Sequence, residues 1–209
     1  MSKLSTDKIL IGLTGNIACG KSTVAQYLKK EGMEILDADC VAREIVLPGT
    51  PALKEIVQTF GKEYLHTDGT LNRKKLGRHI FADETERQKL DQIMAQYLQQ
   101  GFQAKIDQSQ ASHLIFDMPL LFEQNYDQDM DAIIVVHVQE SIQQERLQQR
   151  DHCSLEEVKQ KMQSQMPLKE KQKQATWQID NNGTKEETEE QCQKLLPKLK
   201  KLVKKEMHS

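Results

Sequence analysis

A short apolar run that leads into a glycine-rich segment is the feature that most constrains this chain. Residues 15–22, GNIACGKS, match the pattern G-x-x-x-x-G-K-[ST] at every fixed position. They follow the apolar run Ile9–Leu13 and precede a helical pattern, Ser22–Lys30. In a strand–loop–helix unit, the backbone N–H groups surround one concavity that can hold a phosphate chain. The two glycines allow a close approach and Lys21 can reach the β- and γ-phosphates, so the segment predicts a nucleotide-phosphate loop.

Two further side chains of this loop have chemical interest. The hydroxyl of Ser22 would complete the coordination of a Mg²⁺ bound with the nucleotide. Cys19 lies near the predicted helix N-terminus, where a thiolate is favoured, so it could make the site redox-sensitive. We favour the simpler interpretation, in which Cys19 is a small side chain that fits the loop.

More short apolar runs alternate with helical patterns along the chain. They are Met33–Leu36, His113–Phe116, Ala132–Val138 and a weaker one, Trp177–Ile179. The three stronger of these runs and Ile9–Leu13 are continuous, which is typical of strands buried on both faces of a parallel sheet. The sequence therefore predicts an α/β fold with a five-stranded parallel sheet, helices on both faces and right-handed crossovers.

Two connections between these strands are longer than one crossover helix requires. They span residues 37–112 and 139–176, and in a compact α/β unit such stretches are expected to be structured insertions. Their helical patterns are Cys40–Val46, Ala52–Phe60, Lys74–Phe81, Thr85–Ile106, Ser141–Arg150 and Leu155–Gln165. Ser154, with Glu157 three residues on, predicts a capping box for the last of them.

A lysine-rich stretch ends the chain. One helical face of it is apolar: Leu195, Leu199, Leu202 and Val203. We interpret it as an amphipathic helix that docks on the core, in preference to a basic helix at a membrane surface.

Composition excludes several classes of protein. The 29 basic and 31 acidic residues give a net charge of −2, which argues against broad electrostatic binding of nucleic acid. No apolar run approaches the roughly 18 residues that span a bilayer, and the N-terminal stretch lacks a secretory cleavage pattern. The four cysteines form no C-x-x-C pair. We expect a folded cytoplasmic protein with reduced thiols and with neither a membrane nor a nucleic-acid partner.

Carboxylates follow two of the predicted strands. Asp37 and Asp39 come after the second strand and Asp117 after the third, at the edge where α/β sheets bind ligands. If the strand stays regular, Asp37 and Asp39 point the same way. Phosphoryl transfer uses one carboxylate to orient or deprotonate the acceptor and others to hold Mg²⁺. For Asp39, a catalytic base and a helix N-cap are evenly matched on these grounds, and Asp117 is a candidate metal ligand in a Walker-B pattern.

Two arginines lie in the second long connection. Arg146 and Arg150 are four residues apart and share one helix face, so they could close over a phosphate chain. The alternative, pairing with Glu145 or Asp151 on a solvated helix, is favoured by the residues alone.

Several segments together resemble one family. They are Leu13–Ala25, Leu36–Glu44, Pro48-Gly49, Asp68–Arg73, Phe81, Pro119–Glu123, Gln143 with Arg146 and Arg150, Gln165, and Ile179–Gly183. Over about residues 9–200 they are similar, in order, to the dephospho-CoA kinases. The Asp-Ala-Asp of residues 37–39 and the Pro-Leu-Leu-Phe-Glu of residues 119–123 distinguish this family from other P-loop kinases.

The resemblance implies an activity and a division of the chain. The activity is transfer of the γ-phosphoryl group of ATP, with Mg²⁺, to the ribose 3′-hydroxyl of dephospho-CoA, the last step of coenzyme A synthesis. We expect a monomer. The implied single domain, residues 1–209, has a core (8–40, 112–140 and 174–209), an acceptor-binding insertion (41–111) and a helical lid (141–173).

The resemblance also implies roles for single residues. Asp39 becomes the favoured catalytic base, beside the catalytic residues Lys21 and Arg146, and Arg146 is favoured over Arg150 as the lid contact. The expected acceptor contacts are Thr14, Asp37, Asp39 and Arg43. The expected ATP contacts are Gly15, Asn16, Ile17, Ala18, Cys19, Gly20, Lys21, Ser22, Thr23, Arg146 and Asn181, with the segment Ala175–Asn181 beside the adenine. The expected Mg²⁺ ligands are Ser22 and Asp117.

The chain departs from the family pattern at several positions. Asn16 and Ala18 stand where the family often has glycine, Ala95-Gln96 replaces an expected His-Pro pair, and Thr176 replaces an aspartate. We assign no role to position 176. Two other functions stay open: a P-loop kinase of another small acceptor, such as a nucleoside monophosphate, and an ATP-binding regulatory module without catalysis.

Overall fold

The computed structural model describes residues 3–204, except for the side chain of Ala82. Five strands form one sheet in the order β2-β3-β1-β4-β5. They are β1 (Ile9–Gly15), β2 (Glu34–Asp37), β3 (His113–Asp117), β4 (Ala132–His137) and β5 (Trp177–Asp180). β1 pairs in parallel with β3 and β4, and β4 pairs in parallel with β5. The predicted α/β class and the five-stranded parallel sheet are confirmed.

Burial of the strands follows their place in the sheet. Every residue of the central strand β1 is buried, as continuous apolar patterning predicts. The prediction that the second run is buried on both faces is wrong. Only Leu36 of β2 is buried, whereas Glu34 and Asp37 are exposed, because β2 is an edge strand with a neighbour on one side alone.

Residues 3–204 contain nine α-helices, and each predicted helical pattern overlaps one of them. They are α1 (Lys21–Lys30), α2 (Ala38–Glu44), α3 (Pro51–Phe60), α4 (Arg73–Ala82), α5 (Glu84–Gln108), α6 (Glu140–Asp151), α7 (Leu155–Gln163), α8 (Leu168–Gln174) and α9 (Lys185–Lys200). The capping box of Ser154 and Glu157 is confirmed at the start of α7. α5 runs without a break through Ala95-Gln96, the pair that replaces the expected His-Pro.

Three predicted helix ends are wrong. α2 ends at Glu44 instead of Val46. α7 ends at Gln163 instead of Gln165, so residues 164–167 form a non-helical connection to α8, which has Pro167 as its N-cap residue. α9 ends at Lys200, and Val203 lies beyond it with 78% of its surface exposed. The predicted apolar face is therefore made by Leu195 and Leu199, which are buried in the core.

The chain divides into two compact units. One comprises residues 6–36 and 110–204 and contains most of the sheet. In it, α1 and α9 cover one face of β1 and β4, where Ile11, Val24 and Leu199 meet in a single apolar cluster. This cluster supports the turn from β1 into α1, because the strand and the helix that flank that turn are both anchored in it.

The other unit comprises residues 3–5 and 37–109 and is helical. Its apolar cluster gathers residues of α3, α4 and α5 around Ile56, Phe60, Leu76 and Ile93. The side chains of Thr50, Asn72 and Asp83 cap three of its helices. The assignment of residues 41–111 to the acceptor and of residues 141–173 to a lid stays a prediction. Although α5 has 25 residues, no helix among residues 3–204 is both long and apolar enough to cross a bilayer.

Candidate active site

The predicted phosphate loop joins the central strand to α1. β1 ends at Gly15 and α1 begins at Lys21, with Gly20 as the N-cap residue at φ +85°. Gly20 has no side chain with which to cap this helix end. Since the first N–H groups of a helix have no intrahelical partner, the start of α1 offers donors and a positive dipole end to an anion.

At both fixed glycines of the loop, neighbouring atoms leave no space for a side chain. A Cβ on Gly20 would collide with the side-chain amide of Asn181, and its φ lies in the left-handed region that favours glycine. A Cβ on Gly15 would collide with the carbonyl oxygen of Val136 in β4. Ala18, which stands where the family often has glycine, has a φ of +60° and therefore holds a strained backbone conformation.

Cys19 is a buried support of the loop. Its side chain is 2% exposed, and this burial raises the pKa of its thiol. The thiolate that a helix N-terminus would favour is therefore not stabilised here, because desolvation outweighs the positive charge of Lys21. The structure supports the interpretation of Cys19 as a small residue that fits the loop.

Lys21 and Asp117 form an ion pair between the start of α1, which follows β1, and the end of the neighbouring strand β3. Lys21 starts α1 and Asp117 ends β3, and the ammonium group contacts the carboxylate oxygen Oδ1. Both side chains are largely buried, at 17% and 14% exposure. The two residues that the sequence assigned to phosphate and to metal thus lie together at the carboxyl edge of the sheet.

The two arginines of α6 behave differently. Nη2 of Arg146 donates to the carbonyl of Asn181 at 3.2 Å, and its Nη1 lies 3.7 Å from the position of a Cβ on Gly20, so the guanidinium reaches the loop. Arg150 is exposed and pairs with Asp151 at 2.7 Å. The solvated pairing is therefore confirmed for Arg150, whereas Arg146 approaches the phosphate loop.

Asn181 supports the loop from the end of β5. Its Nδ2 donates to the carbonyl of Cys19 at 2.8 Å, and its Oδ1 accepts from the hydroxyl of Thr188 at 2.7 Å. At 6% exposure, the amide is occupied by protein partners. This placement favours a supporting role over a direct contact with ATP. Nearby, Thr176, the departure from the family pattern, accepts through its hydroxyl from the N–H of Ile133 at 3.0 Å.

Glutamine side chains hold the first half of the loop. Oε1 of Gln165, in the connection between α7 and α8, accepts from the N–H of Ile17 at 2.7 Å. Nε2 of the buried Gln143 donates to the carbonyl of Ile17 at 2.8 Å. Nδ2 of Asn16 donates to the carbonyl of Met166 at 3.3 Å. Sequence analysis predicts no role for Gln143 or Gln165, although Gln143 precedes Arg146 by three residues, a spacing that puts both on one helix face.

A buried ion pair lies behind these contacts. Nζ of Lys171, which is fully buried, is 2.8 Å from Oε1 of Glu123. The same oxygen accepts from the N–H of Met166 at 2.9 Å. Lys171 reads in the sequence as one of several solvated lysines, and no pattern there indicates its burial.

Thr14 is fully buried, and its hydroxyl donates to the carbonyl of Pro119 at 3.1 Å. This contact ties the end of β1 to the segment that follows β3. It favours a structural role over the predicted contact of Thr14 with the acceptor.

The candidate acceptor residues Asp37, Asp39 and Arg43 belong to the other unit. Asp37 ends β2 and is itself the N-cap of α2, accepting from the N–H of Cys40 at 3.0 Å. Asp37 and Asp39 would point the same way only in a strand that stays regular through both. That condition is not met, because α2 begins at Ala38 and places Asp39 in its first turn. The interpretation of Asp39 as the N-cap is wrong for the same reason.

Asp39 keeps its carboxylate available. The side chain is exposed, and no donor among residues 3–204 binds its carboxylate oxygens. Nε of Arg43, one helical turn further on, donates to its backbone carbonyl at 3.0 Å. A base must be able to accept a proton, and Asp39 meets this condition.

In the P-loop kinases, a phosphate loop joins the central strand of a parallel sheet to the first helix, and the strands have the order 2-3-1-4-5. The fold and this loop place the chain in that class. Residues 9–187 match the dephospho-CoA kinase family. The chain belongs to that family.

Individual relatives agree with this assignment. A dephospho-CoA kinase of Enterococcus faecalis is 45% identical over 189 residues, 90% of this chain and 95% of the relative. A crystal structure of a Thermus thermophilus protein has a TM-score of 0.80 at 30% identity and covers 93% of this chain and 99% of its own. The dephospho-CoA kinase structure from Campylobacter jejuni has a TM-score of 0.69 at 25% identity, covering 90% and 96%.

Proposed function

We propose that this protein transfers the γ-phosphoryl group of ATP to the 3′-hydroxyl of the ribose of dephospho-CoA, giving coenzyme A and ADP, the final step of coenzyme A biosynthesis. The observation that carries the proposal is the match of residues 9–187 to the dephospho-CoA kinase family. The intact phosphate loop, with its uncapped helix and partly buried lysine, supplies the ATP-binding half of the reaction.

The residues divide the chemistry between them. The ammonium group of Lys21 exchanges part of its contact with Asp117 for contacts with the β- and γ-phosphates. The guanidinium of Arg146 neutralises negative charge on the transferring phosphoryl group. Asp39 accepts the proton of the 3′-hydroxyl while the hydroxyl oxygen forms a bond to the γ-phosphorus. At the same time the bond between the γ-phosphorus and the β–γ bridging oxygen breaks, and ADP leaves. Asp37 and Arg43 are proposed to contact the acceptor.

Mg²⁺ accompanies ATP in this proposal. Ser22 and Asp117 offer a hydroxyl and a carboxylate, the hard oxygen ligands that Mg²⁺ prefers. Among residues 3–204, no group of three or more His, Cys, Asp or Glu side chains could hold a metal ion. This suits an ion that keeps waters and binds mainly through phosphate oxygens. Bound there, Mg²⁺ would neutralise charge on the β- and γ-phosphates. We further propose a cytoplasmic monomer without a nucleic-acid partner.

An acceptor panel tests the function. ADP release is measured with Mg²⁺-ATP and, in turn, dephospho-CoA, nucleoside monophosphates and small alcohols. Turnover with dephospho-CoA at least about 10²-fold above the other acceptors is expected, since a site built for one acceptor loses binding energy with truncated ones. No turnover with dephospho-CoA beside turnover of another acceptor would refute the assignment. Tight ATP binding without any transfer would favour a regulatory module.

The Lys21→Ala variant tests the phosphate loop. It should lower kcat/KM for ATP by about 10²–10³-fold, because one charged phosphate contact is lost and Asp117 is left facing the phosphates. Far-UV circular dichroism should stay unchanged. Lys30→Ala, an exposed lysine at the opposite end of α1, serves as the matched control and should behave as the wild type. Normal kinetics for Lys21→Ala would exclude the assigned role of this loop.

A further inference from the structure

The connection between α7 and α8, residues 164–167, is fixed on the first half of the phosphate loop. Gln165 accepts from the N–H of Ile17 at 2.7 Å, and Met166 accepts from the side chain of Asn16 at 3.3 Å. Gln143 of α6 donates to the carbonyl of Ile17 at 2.8 Å. Both polar groups of Ile17 are therefore held by glutamine side chains from the segment that the family resemblance assigns to a lid.

The contact of Gln165 determines the orientation of its carboxamide. The backbone N–H of Ile17 can only donate, so the carboxamide oxygen of Gln165 must face it. The NH₂ group of Gln165 must then occupy the other terminal position of the carboxamide. No acceptor among residues 3–204 receives a hydrogen bond from this Nε2. The side chain is half-buried, so the NH₂ group is not sealed from a ligand. The loop thus carries an attached pair of N–H donors without a protein partner.

The backbone next to this amide is anchored in the core. The N–H of Met166 donates to Glu123 at 2.9 Å, and the same carboxylate oxygen pairs with the fully buried Lys171 at 2.8 Å. Glu123 follows β3, so the anchor connects the α7–α8 segment to the sheet that carries the loop. Donors that are held in place before the substrate arrives stabilise developing charge most effectively.

We propose that Gln165 is a catalytic residue whose Nε2 donates to the γ-phosphoryl group of ATP while its Oε1 stays on the N–H of Ile17. The motif assigns the N–H groups of the loop to the α- and β-phosphates and its lysine to the β- and γ-phosphates. Because Oε1 of Gln165 occupies the N–H of Ile17, the NH₂ group of Gln165 takes the place of that donor beside the phosphate chain. This donor would stabilise the charge on the equatorial oxygens of the transferring group. The proposal rests on the proposed function only in requiring ATP as the phosphoryl donor.

Two variants of Gln165 separate its donor from its acceptor. Gln165→Leu removes both groups, whereas Gln165→Glu keeps an oxygen for Ile17 but replaces the donor with a negative charge. The matched control is Gln163→Glu, which makes the same charge change two residues away, at the exposed end of α7. With Mg²⁺ present, calorimetry gives the Kd of a non-hydrolysable ATP analogue and of ADP, and steady-state assays give kcat with dephospho-CoA. Thermal unfolding checks that each variant is folded.

Gln165→Leu should weaken binding of the ATP analogue by about tenfold and lower kcat by about 10–10²-fold, with the Kd of ADP within about twofold of wild type. Gln165→Glu should lose more, because its carboxylate repels the phosphate. Gln163→Glu should match the wild type in all three quantities.

Three outcomes would overturn the proposal. Unchanged constants for both Gln165 variants would mean that the amide contacts no phosphate. Tighter ATP binding by Gln165→Leu would mean that Gln165 occupies an N–H that ATP needs. Equal losses for the ATP analogue and ADP would assign the amide to another phosphate. If the wild type binds ATP but does not phosphorylate dephospho-CoA, the proposed function fails, while the comparison of ATP with ADP still decides the role of Gln165.

Discussion

Replacing Asp39 by Asn is expected to lower kcat by about 10²–10⁴-fold and to change the Kd of ATP by less than about twofold. The amide has the same shape but cannot accept the proton of the acceptor hydroxyl. The loss should fall on turnover, because the loop proposed to bind ATP belongs to the other compact unit. Steady-state kinetics with dephospho-CoA and calorimetry with ATP measure the two quantities separately.

The structure allows a clean control for this substitution. Asp37, and not Asp39, caps α2, so Asp39→Asn removes no capping bond and weakens only a favourable interaction with the helix dipole, worth about 0.3–1 kcal/mol. Asp91→Asn makes the same change at an exposed position of α5 in the same unit and should leave kcat at its wild-type value. An unchanged kcat would leave Asp39 with a role in the helix terminus only.

The strand–loop–helix unit of the candidate phosphate loop could be predicted from the sequence because its constraints are local. The spacing from Gly15 to Ser22, the preceding apolar run and the following helical pattern all concern neighbours in the chain. The structure adds the tertiary reason for each glycine, since Val136 and Asn181 occupy the space of their missing side chains. The central strands could be predicted for a similar reason, because continuous apolar runs are directly visible.

The residues around Asp39 could be predicted less well. Met33–Leu36 has the apolar content of a buried strand, yet β2 lies at the sheet edge and shifts by one residue to Glu34–Asp37. Strand alternation then stops, because Asp37 caps a helix that begins at the next residue. Whether an Asp after a strand continues it or caps a helix depends on backbone angles that residue type alone does not determine. The candidate base was still found, because the resemblance concerns residue identity rather than secondary structure.

The connection between α7 and α8 could not have been predicted from periodicity. Its helical pattern continues through Gln165, but the structure breaks the helix after Gln163. The partners that stabilise the break are distant in the chain: Ile17 for Gln165, and Glu123 for the N–H of Met166. A polar segment that is ordered by long-range hydrogen bonds gives the same sequence signal as a solvated one.

Lys171→Met is expected to lower the free energy of unfolding by about 3–5 kcal/mol, the usual effect of breaking a buried ion pair by removing one partner. Lys171 is fully buried and 2.8 Å from Glu123, whose other carboxylate oxygen is buried without a hydrogen bond from the described residues. Methionine can fill the space of the lysine stem but leaves this carboxylate uncompensated. Urea unfolding at neutral pH measures the change. Lys173→Met, at an exposed position of the same helix paired with Glu170, should stay within about 0.5 kcal/mol of wild type.

Substitution of Glu123 distinguishes loss of the ion pair with Lys171 from loss of side-chain packing. Glu123→Gln keeps one oxygen, which can still accept from both the N–H of Met166 and Nζ of Lys171. It leaves a fully buried cation without its counter-charge, so we expect it to be at least as destabilising as Lys171→Met, because Glu123 retains 20% exposure. In the double variant no uncompensated charge remains. Its loss should therefore be smaller than the sum of the two single losses by at least about 1 kcal/mol. Additive losses would show that the two side chains act separately, and that the charge of Lys171 does not hold Glu123 against the N–H of Met166.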